Sequence, residues 1–85
     1  MAVNLKIREI LQDGAIVFDN HAYDNSIIGL SEDGRVVYDY NKMVQELCKD
    51  EGWDELTAME WIDYNTIRAL PYIANPPIIM YPLEE

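Results

Sequence analysis

All four prolines of this 85-residue chain, Pro71, Pro76, Pro77 and Pro82, lie after residue 70. Proline lacks an amide hydrogen and pushes the residue before it out of the helical region. The C-terminal stretch is therefore expected to be extended, and every long helix must lie upstream of it. A second constraint acts on the core. One cysteine, Cys48, excludes an internal disulfide and any cysteine-cluster metal site. A domain of this length buries only about two thirds of its unfolded surface, so one small core must hold by packing alone. A composition that is 49% apolar and 26% charged suits a globular domain and is too apolar for a disordered chain.

Local patterns sketch the elements in order. Val3, Ile7, Ile10 and Leu11 fall at helical spacing, and Gly14 after them favours a helix over a strand. Ala15 to Phe18 reads as a buried strand, and the polar, turn-rich stretch Asp19 to Asn25 as a loop. Ser26 to Leu30 and Arg35 to Tyr38 flank Ser31-Glu32-Asp33-Gly34, whose Asp-Gly is the strongest hairpin signal in the chain. Gly29 inside a strand suggests a bulge or a close backbone approach. Asp39 or Asn41 can cap a helix whose apolar set Met43, Val44, Leu47 and Cys48 lies opposite Gln45, Glu46, Lys49 and Asp50. Gly52 ends it. Asp54 can cap a second helix, from about Glu55 to Leu70, with Trp53 where a hydrophobic staple would sit. Ile78 to Tyr81 reads as a short strand that must join the sheet to bury its edges.

These elements predict a single α+β domain over residues 1–85: a short, mainly antiparallel sheet, made of a hairpin at about 26–39 and a C-terminal strand 78–81, with two main helices at about 41–51 and 55–70 packed on it. On the second helix, counted at about 100° per residue from Leu56, the apolar set Leu56, Met59, Ile62, Ile67, Ala69 and Leu70 spans about half the circumference and is expected to face the sheet. Asp63 breaks that arc. Either the helix breaks near Asp63 to Asn65, or it continues and a donor such as a tyrosine hydroxyl, Arg35 or a backbone N–H holds the carboxylate; the uninterrupted phase of Ile67, Ala69 and Leu70 favours the second.

The stretch from Phe18 to Tyr72, in particular Tyr23-Asp24-Asn25-Ser26-Ile27-Ile28-Gly29, Glu32 to Asp39 and Ile62 to Tyr72, resembles a family of small acidic proteins of unknown function from gut Gram-positive bacteria and their mobile elements. The resemblance covers about two thirds of the chain and implies a cytoplasmic bacterial protein. It supplies no activity and no site residues.

Sixteen acidic residues against six basic ones give a net charge of −10, which argues against direct binding of nucleic acid or of an anionic membrane. No apolar run approaches the roughly 18 residues of a membrane span, and no basic segment followed by an apolar core reads as a signal peptide, so a cytoplasmic monomer is expected. Residues 41–64 carry seven acids and two bases, half of the net charge. The four glycines are isolated, so no phosphate-cradling loop exists. Cys48 lies on an apolar helix face, where a buried thiol is inert. Asp19, His21 and Asp24 offer three ligand types without a helical pair, and the polar turn they occupy accounts for them as side chains bonded to their own backbone. No catalytic residue, cofactor or metal site is expected.

Two features remain that can carry binding. Trp61, Tyr64 and Arg68 fall outside the apolar arc at spacing i, i+3, i+7, and these residue types dominate interface energetics. If a second element covers that stripe, they are core instead, with Arg68 paired to an acid. The other feature is the acidic band Glu46, Asp50, Glu51, Asp54 and Glu55, which is a solubilising face or a phosphate mimic. The expected function is a small non-catalytic protein-interaction domain whose unidentified protein partner meets Trp61, Tyr64 and Arg68. The alternative is an acidic DNA mimic that inhibits a nuclease or another DNA-binding protein. A metal-dependent enzyme at His21 is a third and weaker reading.

Overall fold

The computed structural model describes residues 16–83. Its three-stranded sheet has β2 (Val36–Asp39) in the centre, β1 (Ile27–Leu30) antiparallel on one side and β3 (Ile78–Met80) parallel on the other. The architecture is thus the small α+β domain expected, with both helices between β2 and β3 in sequence. That long connection is what allows β3 to run parallel. Tyr38 pairs with Ile27 on one side and Ile79 on the other, so these three side chains share the inner face of the sheet.

Helix α1 (Tyr40–Glu51) starts where the sequence places it: the Asp39 carboxylate accepts from the Lys42 amide. It ends at Gly52, whose φ of 74° is the left-handed conformation a C-cap requires. Helix α2 (Glu55–Trp61) is capped by Asp54, which accepts from the Thr57 amide at 2.8 Å. Tyr23, Val36, Tyr38, Met43, Leu47, Ala58 and Ile62 form the fully buried centre of the core. Each large side chain among them contributes about 1.5–3 kcal/mol by leaving water.

Several local expectations are corrected. The expected helix over the first residues lies outside the described ones. Of the strand expected at Ala15 to Phe18, the described part, Ile16 to Phe18, forms no strand; instead Phe18 packs its ring 4.7 Å from Tyr38 and donates its amide to the Tyr38 hydroxyl. The stretch read as a loop contains a 3-10 helix, His21–Ser26, started by the Asn20 side chain accepting from the Ala22 amide. Tyr23 drops from it into the core, and burying that ring against α1 is what orders a polar segment.

The hairpin forms, with Asp33-Gly34 in its turn as expected. Gly34 donates to the Ser31 carbonyl and Ser31 to the Arg35 carbonyl, and only Gly34 takes a positive φ, 86°. Asp33 keeps the ordinary negative φ, and its carboxylate accepts from the Ser31 hydroxyl and from Arg35 Nε, the latter at 3.1 Å. This is the three-residue connection with glycine in the left-handed position. Gly29 does mark a bulge, since the register slips between Ile27 and Gly29, but no close approach: a side chain there would meet nothing within 4 Å.

The second helix departs most from expectation. After Trp61 it widens into a π turn, Ile62–Thr66, and then tightens into a 3-10 helix, Ile67–Tyr72. The Asn65 side chain takes the Trp61 carbonyl at 3.1 Å, which competes with the regular backbone ladder. Pro71 lies within the final 3-10 turns and brings no amide of its own. The extra residue in the π turn slips the helical phase. The expected arc is met only in part: Ile62 is buried and Ile67, Ala69 and Leu70 are half-buried, but already before the π turn Ala58 is the buried residue, while Leu56 is 64% exposed and Met59 also faces solvent.

Candidate interaction surface

The π turn decides what becomes of the three residues singled out for binding. Ile62 and Thr66 are buried and hold the turn on the core, which leaves Tyr64, between them, 67% exposed. Arg68 stacks on it, with the guanidinium carbon 4.7 Å from the ring centroid. Such a cation–π pair fixes both side chains at the surface. Trp61 is different. It is half-buried, packs against the core and sits 6.2 Å from the Trp53 ring. The staple position is thus filled by a Trp53 that meets Trp61. Tyr64 and Arg68 are brought together, and Trp61 stands apart from them on the other side of the turn.

Asp63 lies between the two expected resolutions. The helix is distorted rather than broken, and the carboxylate accepts from the Tyr40 hydroxyl at 3.2 Å. Arg35 is not its partner; that side chain is engaged with Asp33 and with the Pro76 carbonyl. Asp63 is exposed, so the sheet-facing arc that made it anomalous was misplaced in phase. Burial and the neighbouring Asp63 carboxylate push the Tyr40 hydroxyl up to about 12. The ring of Tyr81 lies 4.8 Å from that of Tyr40, and burial together with Asp63 raises its hydroxyl as well. Glu60, Asp63, Tyr64 and Arg68 line one open shelf.

On the Trp61 side, Asn65 and Thr66 turn toward a different concavity, shared with Phe18 and Tyr23, whose hydroxyl meets the Thr66 hydroxyl at 3.2 Å. Sequence spacing gave no sign of this recess, because its walls come from segments some 40 residues apart and meet only through the core.

In the acidic band, Asp50, Glu51, Asp54 and Glu55 are exposed, whereas Glu46 is half-buried and pairs with Lys49 at 3.6 Å. Asp54 is held by its capping bond, and hydrogen bonds from Thr57 hold its carboxyl below the usual aspartate value. His21 projects into solvent and meets Asp24 at 3.3 Å. Among the described residues no three His, Cys, Asp or Glu side chains converge as metal ligands. Cys48 is half-buried against the core. Among the described residues no helix is long and apolar enough to cross a membrane.

No protein-family model, curated protein or solved structure matches the chain.

Proposed function

We propose that this chain is a small non-catalytic acidic domain that binds another protein, acting in the cytoplasm of a bacterium as a product of its genome or of a mobile element. The observation that carries the reading is the Tyr64–Arg68 stack: a tyrosine 67% exposed with a guanidinium 4.7 Å above its ring. What sets Tyr64 apart from the other exposed tyrosines is the arginine stacked on it. Tyrosine and arginine are the residue types that anchor protein contacts, and their mutual stacking reduces the side-chain entropy lost on binding. Glu60 and Asp63 beside them supply charge of the opposite sign to Arg68 on the same shelf.

The test is capture from a bacterial lysate with the immobilised domain. A specific protein should be retained by the native domain and lost with Tyr64→Ala, while Tyr72→Ala, a change at another exposed tyrosine, should keep it. Equal capture by all three would remove the site.

A second reading, mimicry of DNA, draws on the exposed acids around Gly52. Salt separates the two. A phosphate mimic loses affinity steeply between low and moderate salt, and an aromatic contact loses little.

A further inference from the structure

The concavity behind Trp61 has a volume of about 210 Å³ and is walled by Phe18, Tyr23, Trp61, Thr66, Ala69 and Ile73. Several of its polar groups are already bonded within the protein. The Tyr23 and Thr66 hydroxyls bond each other, the Asn20 side chain accepts from the Ala22 amide, and the Asn65 amide donates to the Trp61 carbonyl. What the walls offer an occupant is aromatic and aliphatic surface. Water there finds few partners, and an apolar group displaces it with a gain in free energy. The size is decisive as well. Drug-sized ligands need about 300–1,000 Å³, whereas an apolar cavity of about 150 Å³ suffices for one benzene ring.

We infer that this recess is the anchor pocket of the interaction domain and receives one aliphatic or aromatic side chain from a partner segment whose flanking residues are Lys or Arg. The inference rests on the reading of the chain as an interaction domain and adds the chemistry of the partner. The basic flanks follow from charge. Among the described residues that line the recess the one ionic side chain is the acid Asp19, and the chain as a whole carries −10. A second copy would bring the same −10 against this surface, and an acidic partner would be repelled likewise. Trp61 then contributes as a wall of the pocket, which a half-buried indole does better than an exposed one.

The experiment is selection of a random displayed 12-residue peptide library on the native domain, followed by binding of the enriched peptides to variants. The expected result is enrichment of peptides with a Leu, Ile, Met or Phe flanked by Lys or Arg. They should shift the Trp61 indole resonance saturably and bind at least tenfold more weakly to Ala69→Phe, which adds a ring to one wall of the pocket. Ile73→Trp, at another wall residue with no side-chain hydrogen bond to lose, gives a second plug in case the first variant does not fold. Enrichment of acidic peptides, of basic peptides without an apolar residue, or of no peptide overturns the inference. Peptides that bind both plugged variants as tightly as the native domain but are lost with Tyr64→Ala overturn the pocket while leaving the Tyr64 site standing. Indole shifts that track protein concentration without peptide would assign the recess to a second copy, and also overturn it.

Discussion

The Tyr40 hydroxyl donates to the Asp63 carboxylate at 3.2 Å and so ties the first residue of α1 to the π turn. Tyr40 is 7% exposed and its ring lies against Tyr81, so its hydroxyl has few alternatives. Removing the carboxylate leaves that donor unsatisfied; replacing it with an amide does not. Asp63→Asn should therefore cost less stability than Asp63→Leu. A double-mutant cycle with Tyr40→Phe should give a coupling of about 1 kcal/mol, modest because Asp63 is exposed. Denaturant midpoints measure both, and a cycle that closes at zero would show the contact to be energetically silent.

Trp61 and Tyr64, three residues apart, should answer to different assays. Trp61→Ala removes an indole packed on Trp53 and the core, and should lower stability by about 2–3 kcal/mol, less than a fully buried ring would cost. Tyr64→Ala should lower stability by no more than about 1 kcal/mol, the worth of an exposed cation–π contact with Arg68. Thermal unfolding of the two variants distinguishes them. The reverse ranking would mean that the phase of the π turn is wrong.

Glycines 29 and 34 lie in one hairpin but should differ in sign. Gly34 holds a φ of 86°, where a side chain is strained, and Gly34→Ala should destabilise by about 1 kcal/mol. At Gly29 a Cβ meets nothing within 4 Å and φ is not left-handed, so Gly29→Ala should be neutral or slightly stabilising. Urea titrations of the two variants compare them directly.

Alkaline pH should loosen the core before any other extreme is felt by its tyrosines. Burial pushes the Tyr38 hydroxyl from 10.0 up to about 12, and burial with the Asp63 carboxylate does the same at Tyr40. In the unfolded chain these groups lose their protons near 10.0, while the folded chain keeps them to about 12. Between those values the native state binds more protons, so stability is intact below about pH 10 and falls as pH rises through the window. Denaturant midpoints across alkaline pH, followed alongside tyrosinate absorbance, check this. All six tyrosines ionising together near pH 10 in the folded protein would contradict it.

Local chemistry alone was enough for those features whose cause is local. Asp39 and Asp54 cap their helices because a short carboxylate reaches an amide three residues on. Gly52 stops α1 because only glycine enters the left-handed region cheaply. The final strand, Ile78–Met80, ends one residue short of the expected 78–81 and follows the Pro76-Pro77 pair, which excludes a helix there. Pro71, by contrast, lies inside a 3-10 helix where an extended chain was expected. Tertiary structure decided the rest. The polar segment around Tyr23 became helical because its ring is buried against α1, and β3 ran parallel because two helices intervene. The face of the second helix could not be read by counting, since Leu56 and Met59 face solvent while the small Ala58 is buried, and a π turn then shifts everything after it. Asn65 at the Trp61 carbonyl and Ile62 in the core produce that slip together, and neither leaves a periodic signal. The recess beside Trp61 was hidden for the same reason. Its walls are joined by a hydrogen bond between Tyr23 and Thr66, 43 residues apart, and spacing along a chain carries no information about which distant side chains a fold will bring together.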